Sequence, residues 1–303
     1  MVNLSVQIGA LTLKNPVIAA SGTFGFGREM QQWNELSELG AICSKGLTLN
    51  PRLGNDPPRV AETTGGLLNS VGLQNPGLEA FIATELPFMK SLGTTIIANI
   101  AGHSLAENVA MAEQLDATDV DGIELNLSCP NVSQGCMAFG SSAPMIEEVV
   151  SAVRAKTQKP LWVKLTPNVT SIAEMALAAE AAGADAVSLI NTLLGLAIDR
   201  KSRRPVLRNN TGGLSGPAIK PVALRMVWDV YRAIRIPIIG MGGIMNGEDG
   251  IEFMLAGATA IQVGTANLIS PTACHDVITN MSAIAQTENM AQISQYTGLL
   301  QPW

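Results

Sequence analysis

Residues 236–266 read IPIIGMGGIMNGEDGIEFMLAGATAIQVGTA, and the fold turns on how this stretch divides. Positions 236–240 are a short apolar run that ends in Gly240-Met241-Gly242-Gly243-Ile244. Positions 247–256 carry apolar residues at helical spacing. Ala256-Gly257-Ala258-Thr259 reads as a helix stop, and 260–263 is a second apolar run ending on Gly264-Thr265-Ala266. Strand, glycine-rich turn, helix, stop and strand make one unit of a parallel β/α fold, whose strands are apolar on both faces because helices cover them.

The same unit repeats towards the N-terminus. Apolar runs of strand length occur at 17–20, 41–44, 96–100, 122–127, 161–165 and 186–190. Amphipathic segments at 145–157, 172–182 and 221–235 lie between them, and Ala182-Gly183-Ala184-Asp185 is another helix stop. Eight strand–helix units predict an α/β protein built as a single (β/α)8 TIM barrel spanning 1–303. An open doubly wound sheet is the other arrangement with this alternation. The count of eight and the lack of a Gly-x-Gly-x-x-Gly fingerprint after the first strand favour the barrel. Two connections, from Gly46 to about Pro76 and from Asn191 to about Lys220, are too long for plain turns and predict insertions over the C-terminal face. The start of the chain, 4–8 then 11–13, predicts a hairpin at the opposite end.

Composition narrows the function. Of 303 residues, 47% are hydrophobic and only 4% aromatic, which suits buried strands under small-residue helices. The net charge of −6 disfavours nucleic acid and anionic membranes as partners. No apolar run approaches the ~18 residues of a membrane span. Met1-Val2-Asn3-Leu4-Ser5 lacks signal-peptide character, so a cytoplasmic protein is expected. The four cysteines, Cys43, Cys129, Cys136 and Cys274, form no CxxC pair, and the two histidines are too few for a histidine-based metal site or a Ser/His/Asp triad. No metal is expected.

The glycine-rich ends of strands seven and eight sit where such barrels hold phosphate, because backbone N–H groups must approach the anion closely. Either alone could be an ordinary tight turn; both together favour phosphate. Polar residues close other strands: Lys45, Asn99, Asn126, Lys164 and the pair Asn191-Thr192, with Asn69 in the first long connection. Two lysines and several amides converging on one mouth suit a polar heterocycle. On strand four, Glu124, Asn126 and Ser128 share one parity, and the apolar set Ile123, Leu125 and Leu127 shares the other. Glu124 should therefore point into the barrel and form a hydrogen-bonded ion pair with Lys164 or Lys45, since an unpaired charge there would be costly. Cys129, directly after strand four, can act as a base or nucleophile; on its own a free cysteine is more often a small buried hydrophobe. Cys43 and Cys274 take that second reading, and Cys136 is left open.

Taken together, Ser44-Lys45-Gly46, Asn69-Ser70-Val71-Gly72-Leu73, Glu124-Leu125-Asn126-Leu127-Ser128-Cys129-Pro130-Asn131, Gly240-Met241-Gly242-Gly243-Ile244 and Gly264-Thr265 resemble the dihydroorotate dehydrogenases of pyrimidine biosynthesis over essentially the whole chain. The segments NSVGLQNPG from Asn69 and TGGLSGPAIKP from Thr211 resemble class 1B, the cytosolic form that works with an electron-transfer subunit. Cysteine rather than serine as base, and a first strand that starts almost at once, point the same way. Cys136 stands where the family pattern has glycine. The resemblance implies a binding site for the pyrimidine substrate at Lys45, Asn69, Ser70, Val71, Gly72, Leu73, Asn126, Asn191 and Thr192. It implies an FMN site at Ser21, Lys45, Gly46, Asn99, Asn126, Lys164, Ile190, Gly216, Gly242, Gly243, Gly264 and Thr265. Cys129 would take the C5 proton of dihydroorotate while hydride leaves C6 for FMN, giving orotate. The loop from Cys129 to Phe139 would close over the substrate.

The resemblance also implies NAD⁺ as final oxidant. A partner subunit carrying FAD and a [2Fe–2S] cluster would take the electrons, around a homodimeric core within a heterotetramer. The chain has neither a second nucleotide-binding fold nor a cysteine cluster of its own. Alternatives are a fumarate-dependent class 1A-like enzyme, another FMN barrel acting on a pyrimidine, a flavin-free barrel lyase or isomerase, and a non-catalytic subunit that kept the barrel.

Overall fold

A computed structural model describes residues 2–33, 35–128 and 139–303. The calls on Cys129, Cys136 and the loop before Phe139 fall outside the described residues. The eight apolar runs form β1 (Val17–Ala19), β2 (Ala41–Cys43), β3 (Thr95–Ile100), β4 (Gly122–Asn126), β5 (Leu161–Lys164), β6 (Ala186–Leu189), β7 (Ile238–Met241) and β8 (Ala260–Val263). They close into one barrel in chain order, every neighbouring pair parallel. The expected strand positions agree to within two residues.

Helices α1 (Leu105–Asp116), α2 (Ala143–Arg154), α3 (Ile172–Ala181), α4 (Lys220–Tyr231), α5 (Gly247–Leu255) and α6 (Ala273–Thr287) cover the strands. Each start has a physical cause where a cap is present. Ser104 and Ser171 accept from the amides of Glu107 and Glu174, and Asn246 and Asp249 form a reciprocal capping box. Helix α4 stops at Tyr231, four residues before its expected end. The amides of Arg235 and Ile236 bond to Glu180 Oε1 at 2.7 and 3.1 Å instead, which ties the chain to α3 as it turns into β7.

At the N-terminal end of the barrel, Val6–Ile8 pairs antiparallel with Leu11–Leu13. Ile8 and Leu13 are fully buried, each contributing about 1.5–3 kcal/mol of apolar burial. The plug expected there is present.

The opposite end departs from expectation. The two long connections are not independent loops. Val60–Thr63, Gly66–Asn69, Gly212–Ser215 and Leu193–Gly195 zip into a single antiparallel sheet that roofs the mouth. Glycine makes the close approach possible. A Cβ on Gly213 would lie 2.0 Å from Thr192 Oγ1, and one on Gly66 would lie 2.1 Å from the Ser215 carbonyl oxygen.

Candidate active site

Between barrel and roof lies a cavity of about 600 Å³. Its floor is made of strand ends: Ser21 beyond β1, Lys45 and Gly46 beyond β2, Asn126 and Ser128 at β4, Lys164 at β5, Ile190, Asn191 and Thr192 beyond β6, Gly242 and Gly243 beyond β7, and Gln262, Gly264 and Thr265 at β8. Val60, Leu67, Asn69, Val71, Gly72, Leu73, Gly213, Ser215 and Gly216 close it from above. Seventeen of the residues expected from sequence therefore share one cavity: Ser21, Lys45, Gly46, Asn69, Val71, Gly72, Leu73, Asn126, Lys164, Ile190, Asn191, Thr192, Gly216, Gly242, Gly243, Gly264 and Thr265. Ser70 and Asn99 are fully buried behind its wall.

One end of the cavity is built for an anion. Gly242 and Gly243 have φ of 126° and 83°, a region that other residues rarely adopt. A Cβ on Gly243 would lie 2.8 Å from the Gly216 carbonyl oxygen and 2.8 Å from Lys220 Cβ. The amide N–H groups of Gly243, Gly264 and Thr265 have no acceptor among the described residues. Thr265 Oγ1 donates to Ser215 Oγ at 2.8 Å, which joins this end of the floor to the roof. Bare backbone donors converging where only glycine fits are what a phosphate group requires.

The other end presents amides and ammonium groups. Asn191 Nδ2 donates to Asn126 Oδ1 at 3.4 Å, and Asn126 Oδ1 also accepts from the Ser128 amide at 3.1 Å. The Thr192 amide donates to Asn191 Oδ1 at 2.8 Å. Asn69 Nδ2 donates to the Gly213 carbonyl at 3.4 Å, linking the two insertions across the roof. Burial, and then the nearby Arg59, hold the Lys45 ammonium below the usual lysine range. An anion bound against it would relieve both effects.

Beneath the floor sits Glu124, which is fully buried. Its Oε1 accepts from Asn99 Nδ2 at 2.7 Å and from Cys43 Sγ at 3.3 Å; its Oε2 accepts from Gln262 Nε2 at 2.6 Å and Ser188 Oγ at 2.8 Å. Lys164 Nζ lies 4.0 Å from Oε1. The inward parity and the ionic pairing with Lys164 follow the sequence expectation, but the expected hydrogen bond does not form at 4.0 Å, because amide, hydroxyl and thiol donors occupy the carboxylate instead, and Lys45 is not the partner. Cys43 is buried as expected, yet it also donates to the carboxylate. Burial and the adjacent Glu124 push its thiol well above the usual range. Cys274 is likewise buried; desolvation raises it to about 12, and it donates to Asn267 Oδ1 at 3.3 Å.

Sequence reasoning missed Gln262, Ser188 and Ser215. The signal for the first two was present: each is the single polar residue in a four-residue apolar strand, AIQV and AVSL.

Comparison with known proteins gives a consistent set of similarities. A family model described as dihydroorotate dehydrogenase matches residues 3–284. Proteins named dihydroorotate dehydrogenase B (NAD(+)), catalytic subunit, are similar over the full length. The one from Trichlorobacter lovleyi is 54% identical over 299 residues, 98% of this chain and 98% of its own. That from Geotalea uraniireducens is 52% identical over 299 residues, again 98% of each chain. That from Alkaliphilus oremlandii is 54% identical over 298 residues, 98% of this chain and 99% of its own.

Proposed function

The chain belongs to the dihydroorotate dehydrogenase family, and from that membership we propose that it oxidises (S)-dihydroorotate to orotate in pyrimidine biosynthesis, with NAD⁺ as final acceptor. The observation that carries the reading is a single cavity joining an anion cradle at Gly243, Gly264 and Thr265 to a lysine and asparagine set at Lys45, Asn126, Lys164 and Asn191.

The residues fit FMN. Unpartnered backbone amides suit its phosphate, and the buried oxygens Asn99 Oδ1 and Gln262 Oε1 have no hydrogen-bond partner. When bound, FMN takes up the hydride that leaves C6 of dihydroorotate. Gly242, Gly243, Gly264 and Thr265 would hold its phosphate, with Gly216 closing the cradle. Ser21, Lys45, Gly46, Asn99, Asn126, Lys164 and Ile190 would hold its ring system. Asn69, Ser70, Val71, Gly72, Leu73, Asn126, Asn191 and Thr192 would orient the substrate, and Lys45 would face its carboxylate. Cys129 would accept the C5 proton. Under the roof sheet the substrate is shielded from water, which strengthens each of these polar contacts.

The relatives' name, catalytic subunit, supports a second chain that takes the electrons; we assign to it FAD and a [2Fe–2S] cluster, around a dimeric core of this chain in the cytoplasm. No helix among the described residues is long and apolar enough to cross a membrane.

Two measurements test the reading. Anaerobic mixing of the purified protein with dihydroorotate should bleach a flavin absorbance band; a colourless protein that stays flavin-free with excess FMN would refute it. Gly243→Ala should lower FMN content about tenfold or more, because a methyl group would fill the cradle at a positive φ. Equal FMN content in the folded variant would remove the phosphate from that loop.

A further inference from the structure

Glu124 does not line the cavity, yet three side chains that meet the floor or back it are organised by its carboxylate. A carboxylate accepts hydrogen bonds and donates none. Glu124 therefore takes the NH₂ groups of both Asn99 and Gln262, at 2.7 and 2.6 Å. Both amides are thereby turned the same way, and the oxygens left over, Asn99 Oδ1 and Gln262 Oε1, are buried without a partner. Gln262 lines the cavity. A Cβ on Gly46, another lining residue, would lie 3.1 Å from Asn99 Oδ1. Lys164, with a side chain only 7% exposed, stands 4.0 Å from Glu124 Oε1. That distance gives attraction without a shared hydrogen bond, so its N–H donors stay available to the cavity.

We infer that Glu124 is a positioning residue that fixes both the hydrogen-bonding polarity and the charge of the cavity floor, and through them the reduction potential of the flavin held above it. The inference rests on the FMN reading of the previous subsection. An amide oxygen left without a donor matches a ring N–H, and one ammonium matches a ring edge that gains negative charge on reduction. The charge balance follows from the pair. Lys164 favours the added negative charge and Glu124 opposes it, in an interior where such effects are weakly screened. The two together hold the flavin potential below the value that Lys164 alone would set.

The test is potentiometric, by reductive titration of the FMN-loaded protein against an indicator dye. Glu124→Gln keeps the size, removes the charge and replaces one acceptor oxygen with a donor. It should favour reduced over oxidised FMN by about tenfold, the scale on which one nearby charge shifts such an equilibrium, which is a rise of about 30 mV for two electrons. Ser188→Ala supplies the opposite sign. Ser188 is fully buried, donates to Glu124 Oε2 at 2.8 Å and does not line the cavity, so it reaches the flavin only through the carboxylate. Without that donor the negative charge is less neutralised, and the potential should fall by about 15 mV, about threefold in the same ratio.

Opposite shifts are not what a merely structural role produces. An unchanged or lower potential in Glu124→Gln would overturn the inference. If that variant does not fold, Ser188→Ala decides, and an unchanged or higher potential overturns it. Wild-type protein that binds no FMN would instead bring down the cofactor reading, which separates the two failures.

Discussion

Replacing Cys129 with alanine is expected to leave FMN bound and to slow its reduction by dihydroorotate about 10²–10⁴-fold, the usual cost of a lost general base. The proposal rests on position in the chain. Cys129 follows Ser128, which lines the cavity, and stands three residues after Asn126, whose amide bonds to Asn191 on the floor. An unperturbed thiol ionises near pH 8.5, and the ammonium groups of Lys45 and Lys164, which line the cavity, would favour the thiolate of a base acting on a substrate bound in it. Flavin reduction in the wild type should accordingly rise with pH and level off once the thiol has ionised. Cys129→Ser should retain partial activity only at the alkaline end, because a hydroxyl is the poorer base. Stopped-flow absorbance of the flavin reads all three proteins, and a wild-type rate in the alanine variant would exclude Cys129 as the base.

The purified chain alone is expected to reduce artificial dyes with dihydroorotate and to leave NAD⁺ untouched. The electron-transfer subunit, when added, should restore NAD⁺ reduction, an effect close to all-or-none. The barrel accounts for eight strands in one closed ring, the remaining strands form the roof and small hairpins, and none of them builds a dinucleotide-binding half-sheet among the described residues. On the proposed reading, electrons then leave through another protein. Turnover of the isolated chain with fumarate at the dye rate would favour the class 1A-like alternative and remove the need for a partner.

The barrel was legible because its signal is local. Each strand is a short apolar run, α1, α3 and α5 are bounded by a cap or a glycine stop, and eight such units have one common closed solution. Period-two parity on β4 was enough to put Glu124 inside, since a strand offers only two faces, while the choice of Lys164 over Lys45 came only with the structure. The roof was not legible. Gly66-Leu67-Leu68-Asn69 and Gly212-Gly213-Leu214-Ser215 pair across nearly half the chain, and their glycines lower β propensity. What selects those glycines is tertiary crowding, such as Thr192 against Gly213, which a single strand's pattern does not carry. The carboxylate's other partners were hidden for a similar reason. Ser188 and Gln262 become meaningful only when β6 and β8 are known to face β4 across the barrel axis.

The roof sheet also imposes an order on biosynthesis. Its two halves come from residues 60–69 and 193–215, and they pair with each other across the mouth. Closing so long a loop is entropically unfavourable until the intervening strands are packed. On the ribosome, the early hairpin of residues 60–69 therefore waits, its inner edge unpaired, until β6 and the following insertion have emerged. A chain released before that point has most of the barrel's strands but an uncovered mouth and an open sheet edge, the kind of surface that recruits other unfinished chains. The lid over the reaction thus pairs only across a long stretch of chain, and ligand-competent molecules are those whose synthesis ran past both the roof strands and the last cavity-lining strand end at Thr265.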